Sequence, residues 1–200
     1  MYLQLFDTAA ESLESVFGEG NAGGLRRLRL VPSHQLQFIH PERFPPPGQR
    51  GYDDIILSDQ HLIFAPGYMI TDVDVLPELA EFSEPAETSS QGVFFNPSIQ
   101  IVLPKIRPDV TIWIHRNREV RWIAFIGDRN GFFRCVGTPT QPLRLAIQAQ
   151  TGTHTGRNQT VLSFAGSVSQ PAYYMDGIEN EDLINPLADF DESFSFDFNS

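Results

Sequence analysis

Two hundred residues, 41% hydrophobic and 20% charged, suffice for one domain with a real core, with or without extended arms. A formal net charge of −11 and an isoelectric point near 4.7 exclude attraction of the whole chain to nucleic acid or anionic lipid. The single cysteine, Cys135, excludes an intrachain disulfide and leaves a cysteine-built zinc site without ligands.

Asp7 and Thr8 precede Ala9 to Phe17, where Leu13, Val16 and Phe17 fall at helical spacing behind capping residues, so a short amphipathic helix is predicted. Gly18, Gly20 and Gly23 spell GxGxxG, which cradles a pyrophosphate when it follows a strand and opens a helix. Here the glycines follow a helix and precede a strand, and Gly24 extends them into a connector. Leu25, Leu28 and Leu30 lead through Val31 into Gln35 to Ile39, which reads as strand, and Pro45 to Gly48 impose an extended loop. Ile55 to Leu57 and Leu62 to Phe64 flank Ser58 to His61 as the arms of a tight hairpin. Tyr68 to Val75 alternates, giving an apolar strand face through Met69, Thr71, Val73 and Val75 and an opposite face that turns acidic at Asp72 and Asp74. Ser83 to Gly92 reads as a polar loop with little reason to pack, and as the natural boundary in the chain.

Ile99 to Leu103 reads as strand, with Pro104 and Pro108 bracketing a break. Two readings stay open over Asp109 to His115: β-branched Val110, Ile112 and Ile114 alternate as in a strand, whereas a helix capped by Asp109 would put Val110, Trp113 and Ile114 on one side. Val120 to Ile126 and Phe132 to Val136 flank Asp128 to Gly131, whose Asn-Gly pair supplies the positive φ angles of a hairpin turn. Leu143, Leu145 and Ile147 alternate with Arg144, Ala146 and Gln148, and a polar loop from Thr151 to Gln159 leads to a strand at Val161 to Ala165. The fold class expected is therefore mainly β, a β-sandwich or barrel of antiparallel strands with one or two short helices and extended terminal arms. Residues 1–20 form an N-terminal helix or arm, 21–172 the β domain, and 173–200 a C-terminal arm.

Charge singles out the middle of this plan. Val93 to Arg157 holds nine Lys or Arg against three Asp or Glu, while residues 1 to 92 carry −9 and residues 158 to 200 carry −8. Residues 173 to 200 contain eight carboxylates and end in Phe190, Phe194, Phe196 and Phe198. A disordered tail normally lacks aromatics, so the alternating phenylalanines read as a strand or hook laid on another surface, with carboxylates opposite arginine; a mobile acidic solubility tail is the plainer reading. The candidate interface joins Arg116, Arg118, Arg121, Arg129, Arg134 and Arg144 to these four phenylalanines. Arginines interleaved with Trp122, Phe132 and Phe133 could also contact nucleic acid, but the acidic flanks oppose a polyanion.

Signals for chemistry are sparse. His34, His40, His61, His115 and His154 show neither HExxH nor ligand spacing, and Asp72 with Asp74 fits an exposed strand face as well as acid/base work or calcium. No GxSxG is present, and Cys135 sits inside an apolar hairpin arm, away from the helix start that would lower its pKa. Neither a catalytic residue nor a cofactor or metal is expected. Trp113, Trp122, Tyr173 and Tyr174 could stack on sugars, which makes a carbohydrate- or receptor-binding β-sandwich module the alternative function; such residues also anchor cores and interfaces. Met1 to Ala10 lacks a signal-peptide pattern and no segment approaches about 18 uninterrupted apolar residues, so cytosolic residence without membrane insertion is expected.

The run RWIAFIGDRNGFFRCVG, then PLRLAIQAQTG, a polar loop ending GRNQ, and TVLSFAGSVSQPAYYM follow one another from Arg121 to Met175, within a patterned stretch of about residues 93 to 175. This pattern resembles small structural proteins of tailed bacteriophages, especially of phages and prophages of the Bacteroidetes lineage. The shared features are a hairpin with a D-x-N-G turn, a glycine after its second arm, two strands joined by a TG…RN loop, and a Pro-Ala exit. The resemblance implies a non-enzymatic component of the tail, neck or baseplate, present in many copies as a ring or stack beside other virion proteins. It implies location in the virion, and in the host cytoplasm during assembly.

Overall fold

The computed structural model describes residues 21–38, 56–57, 62–90, 92–152 and 156–175. The predicted N-terminal helix, the loop at 45–48 and the C-terminal phenylalanines lie outside these residues. In chain order the strands are β1 (Leu25–Pro32), β2 (Leu36–Phe38), β3 (Ile56–Leu57), β4 (Leu62–Phe64), β5 (Thr71–Val73), β6 (Ala80–Ser83), β7 (Ala86–Ser89), β8 (Gly92–Phe95), β9 (Ser98–Pro104), β10 (Arg121–Asp128), β11 (Phe133–Val136), β12 (Leu143–Gln150), β13 (Gln159–Ala165) and β14 (Tyr173–Met175). Among the described residues one α-helix, α1 (Pro108–Asn117), lies between β9 and β10. The fold is mainly β; ten strands share the largest sheet, which forms neither a closed barrel nor a clear sandwich among the described residues.

Strand β10 is the centre. Trp122 to Gly127 are all buried, so both faces are covered and the sequence reads as a continuous apolar run. Trp122, Ala124 and Ile126 face a first core; Ile123 and Phe125 face a second. One edge of β10 is filled by β1, paired from Leu25↔Asp128 to Pro32↔Trp122. The other edge is shared. β11 pairs with Ala124 to Gly127, and β12 pairs only with Arg121 and Trp122.

Because β11 and β12 both run antiparallel to β10 along one edge, they act as a single strand interrupted by residues 137–142. β13 and β14 are interrupted alongside them, pairing with β12 and β11 in turn. Gln141 joins the two excursions, its Oε1 accepting from the Ser169 amide at 3.0 Å and from Ser169 Oγ at 3.1 Å. The product is a two-stage hairpin whose outer stage, β12–β13, runs past the end of β10.

The first core lies between β1 and β10 on one side and β13, β9 and β6 on the other, with Leu28, Leu30, Ile99, Ile101 and Phe164 at 0–1% exposure. Trp122 fixes its middle, stacked on Trp113 of α1 at 5.7 Å and edge-on to Phe164 at 6.4 Å. The second core gathers Val31, Leu36, Leu57, Leu62, Phe133, Cys135, Tyr173 and Met175 on the opposite face.

Residues 108–117 resolve to helix. Pro108 occupies the first turn, where its missing N–H is not needed, Asp109 complements the N-terminal dipole, and His115 and Arg116 lie in the last turn. Helical spacing turns Val110, Trp113 and Ile114 inward and leaves Ile112 52% exposed, the residue that strand alternation would have grouped with Val110 and Ile114. The β10–β11 hairpin forms as expected, with a different turn. Asp128 Oδ1 accepts from the amides of Asn130 and Phe132, both at 2.9 Å, and only Gly131 takes a positive φ, 92°. This is a three-residue turn with glycine in the left-handed position rather than a two-residue Asn-Gly turn.

Three expectations need correction. β4 pairs antiparallel with β2 while β3 pairs parallel with β14, so β3 and β4 are not the two arms of one hairpin; Leu57 and Leu62 reach the second core through different partners. Within Tyr68 to Val75 only Thr71 to Val73 are strand, paired with β1, and Met69 is 73% exposed, so no continuous apolar face forms. Ser83 to Gly92 contains β7, which pairs with β8 in an exposed hairpin, and strands β6 and β9 on either side pair with each other from Ala80↔Ile101 to Ser83↔Ser98.

Phe164→Ala, which empties the space beside Trp122, is expected to cost ~3–5 kcal/mol in chemical denaturation, against less than about 0.5 kcal/mol for exposed Gln148→Ala. Equal losses would contradict this placement of the core.

Candidate interaction surface

The six arginines singled out in the sequence do not form one patch. Arg121 opens β10 and Arg129 lies in the turn that follows it, so the length of the strand, roughly 25 Å at 3.3 Å per residue, separates them. Arg116 and Arg118 follow from the end of α1 towards Arg121, and β12 brings Arg144 directly opposite Arg121. At the other end Arg134 joins Arg129. The phenylalanines at 190, 194, 196 and 198 lie outside the described residues.

Arg134 is engaged within the chain. Its Nη2 lies 3.8 Å from Asp128 Oδ2 and donates to Tyr174 Oη at 3.3 Å, and its guanidinium carbon sits 4.9 Å from the centre of the Tyr174 ring and 5.7 Å from that of Phe82. A planar cation between two rings can bond in its plane and stack above it, which lysine cannot match. The contact links β6 to the β11–β14 pair. Glu84 lies in the same cluster and accepts from the Ala172 amide at 2.8 Å. Burial raises its pKa above the ordinary glutamate value, while the Ala172 hydrogen bond and the charge of Arg134 act in the opposite direction.

Arg29 lies inside the second core's side of β1. Its Nε is 3.4 Å from Asp72 Oδ2, an ion pair without hydrogen-bond geometry. Arg107 pairs with Asp109 at 3.6 Å and Arg118 with its neighbour Glu119 at 3.6 Å. Arg121 and Arg144 are both exposed and have no ion pair among the described residues. Like charges directly opposite on an antiparallel pair repel, so this pair is left for an anion from elsewhere.

The edge of β12 beside this pair is a second open feature. β10 stops at Arg121, so residues 145–150 of β12 have β13 on one side and no strand on the other among the described residues. Ala146 to Gln150 are exposed, Ile147 at 40%, and this stretch carries no charge or proline to deter pairing. Its absence of charge, LAIQAQ, was the available signal in the sequence. Neither this edge nor the β7–β8 hairpin was identified there.

Two hollows also lie among the described residues. One, about 370 Å³, lies between β5 and the start of α1, with Asp72, Asp74, Arg107 and Asp109 around a floor of Val73, Leu103, Val110, Trp113 and Leu162. The other, about 390 Å³, is lined by Leu79, Val102, Pro104, Lys105, Arg157, Asn158 and Gln159. Lys105 there has a positive φ of 65°, held by its amide donating to Asn158 O at 2.8 Å and by the Ile106 amide donating to Asn158 Oδ1 at 3.0 Å. Among the described residues no three His, Cys, Asp or Glu side chains converge for a metal ion; His40, His61 and His154 lie outside them. Cys135 is buried in the second core, which pushes its thiol far above the usual range. No described helix is long and apolar enough to cross a membrane.

Comparison with models of known protein families, with curated proteins and with solved structures finds no match.

A carboxyl whose pKa rises on folding takes up a proton as the chain folds, so its contribution to stability falls as pH climbs through the interval from about 4.5 to the folded value. Glu84→Gln keeps the acceptor for Ala172 and is expected to flatten that part of the stability–pH curve in urea titrations. Parallel curves for parent and variant would remove Glu84 from this role.

Proposed function

We propose that the chain is a non-enzymatic structural component of a phage virion, of the tail, neck or baseplate, that assembles in multiple copies through complementary basic and acidic surfaces. The observation that carries the reading is the exposed Arg121–Arg144 pair, without a carboxylate among the described residues. The chain holds such carboxylates: residues 176–200 contain eight Asp or Glu and no Lys or Arg. A basic patch and an acidic arm on one molecule suit a heterologous interface, in which one surface of each copy meets a different surface of the next. The phage-like pattern over about residues 93 to 175 agrees with such a role.

The arrangement of the aromatics weighs against the carbohydrate-binding alternative. Trp122 is 1% and Tyr173 6% exposed, and Trp113 is committed to stacking on Trp122, so these rings serve the cores rather than an open platform. Phe132 and Tyr174 remain as an exposed edge-to-face pair, but Tyr174 also holds Arg134.

Deleting residues 186–200 should convert the assembled protein to a monomer in native mass spectrometry while leaving its far-UV circular dichroism and unfolding transition intact. Assembly of the truncated chain to the same mass as the parent would refute the acidic arm.

A further inference from the structure

We infer that the open edge of β12, at residues 145–150, is the seat of a donated strand, and that the donor is the alternating segment Ser193 to Asn199 of a neighbouring copy. The inference rests on the assembly reading above and specifies where the arm docks.

The edge offers the backbone for this mode of recognition. Six residues of β12 extend beyond β10, about 20 Å of strand with an edge unfilled among the described residues, and main-chain hydrogen bonds along such an edge supply affinity whatever the side chains. Side chains then set the register. Leu145, Ile147 and Ala149 lie on the face shared with the first core, whereas Arg144, Ala146, Gln148 and Gln150 lie on the opposite face. In Ser193 to Asn199 (SFSFDFN), Phe194, Phe196 and Phe198 occupy one parity and Ser195 and Asp197 the other. Laid beside β12, the phenylalanines extend the apolar face next to Ile147, and Asp197, with Asp191 upstream, comes to the face of Arg144 and Arg121. One placement thus covers an exposed isoleucine, fills a bare edge and neutralises two facing arginines.

Charge selects this occupant over a second β12. Two copies of LAIQAQ could pair edge to edge, but each would bring its own Arg121 and Arg144, adding cations where cations already face each other. The acidic segment brings the opposite sign.

The test uses full-length chains carrying Ala146→Cys or Ser195→Cys, both on the face of Arg144 in this placement, with buried Cys135 retained, mixed and oxidised under native conditions. The expected result is a covalent heterodimer in the mixture, at least ten times more abundant than either homodimer. It should be lost when the Ala146→Cys chain also carries Ile147→Lys and Arg144→Glu. An Ala146→Cys homodimer as the main product would overturn the inference in favour of edge-to-edge pairing. A link formed within single chains carrying both cysteines, at the expense of links between chains, would also overturn it. Assembly of normal mass with no such link, unmoved by the β12 substitutions, would overturn the docking site alone, whereas a parent chain that stays monomeric would overturn the assembly reading as well.

Discussion

Burial of β10 on both faces is the constraint from which the rest of the structure follows. A strand with two covered faces must present apolar side chains in both directions, and WIAFI does so, sending Trp122 and Ala124 to one core and Ile123 and Phe125 to the other. Its length matters as much. Pro108 and Asp109 start a helix in the preceding segment, so residues that might have extended β10 are spent on α1, which returns Trp113 to stack on Trp122. β10 therefore begins only at Arg121, while β12 continues six residues past its last partner there. The open edge is thus a consequence of how the first core is closed.

Electrostatics follows the same division. Where arginines meet the closed part of the molecule, the chain supplies its own partners: Asp72 for Arg29, and Asp128 with the rings of Phe82 and Tyr174 for Arg134. Where β12 runs past β10, Arg121 and Arg144 face each other without an ion pair among the described residues. The basic middle of the sequence therefore separates into a structural arginine and an open pair, a distinction that charge counting does not make.

How much was legible in the sequence depended on whether a signal was local. The β10–β11 hairpin was, because Asp128 to Gly131 encodes its own turn, although Asp128 capping two amides changed the turn type. The β12–β13 pair was also legible from alternation and one polar loop. β1 was only partly so: Arg26, Arg27 and Arg29 interrupt its apolar pattern, and Arg29 is buried because Asp72 lies across the strand pair, which needs the fold to be known. The false hairpin at residues 55–64 failed for a related reason. Two short apolar runs near each other look like partners, but tertiary burial sends one to β14 and the other to β2. The β7–β8 hairpin has almost no apolar pattern in β7, so composition suggested a loop. The open edge was invisible for the deepest reason: an unpaired edge is a property of where a neighbour stops.

The central claim is that copies of this chain hold one another through opposite charges. Sedimentation velocity of the full-length protein across a range of sodium chloride tests it most directly, because surface ion pairs weaken as the screening length falls from about 10 Å at 0.1 M to about 3 Å at 1 M. The account predicts a species of several copies at low salt that dissociates to folded monomer as salt rises. A monomer at every salt concentration, or an oligomer that salt leaves unchanged, would contradict it.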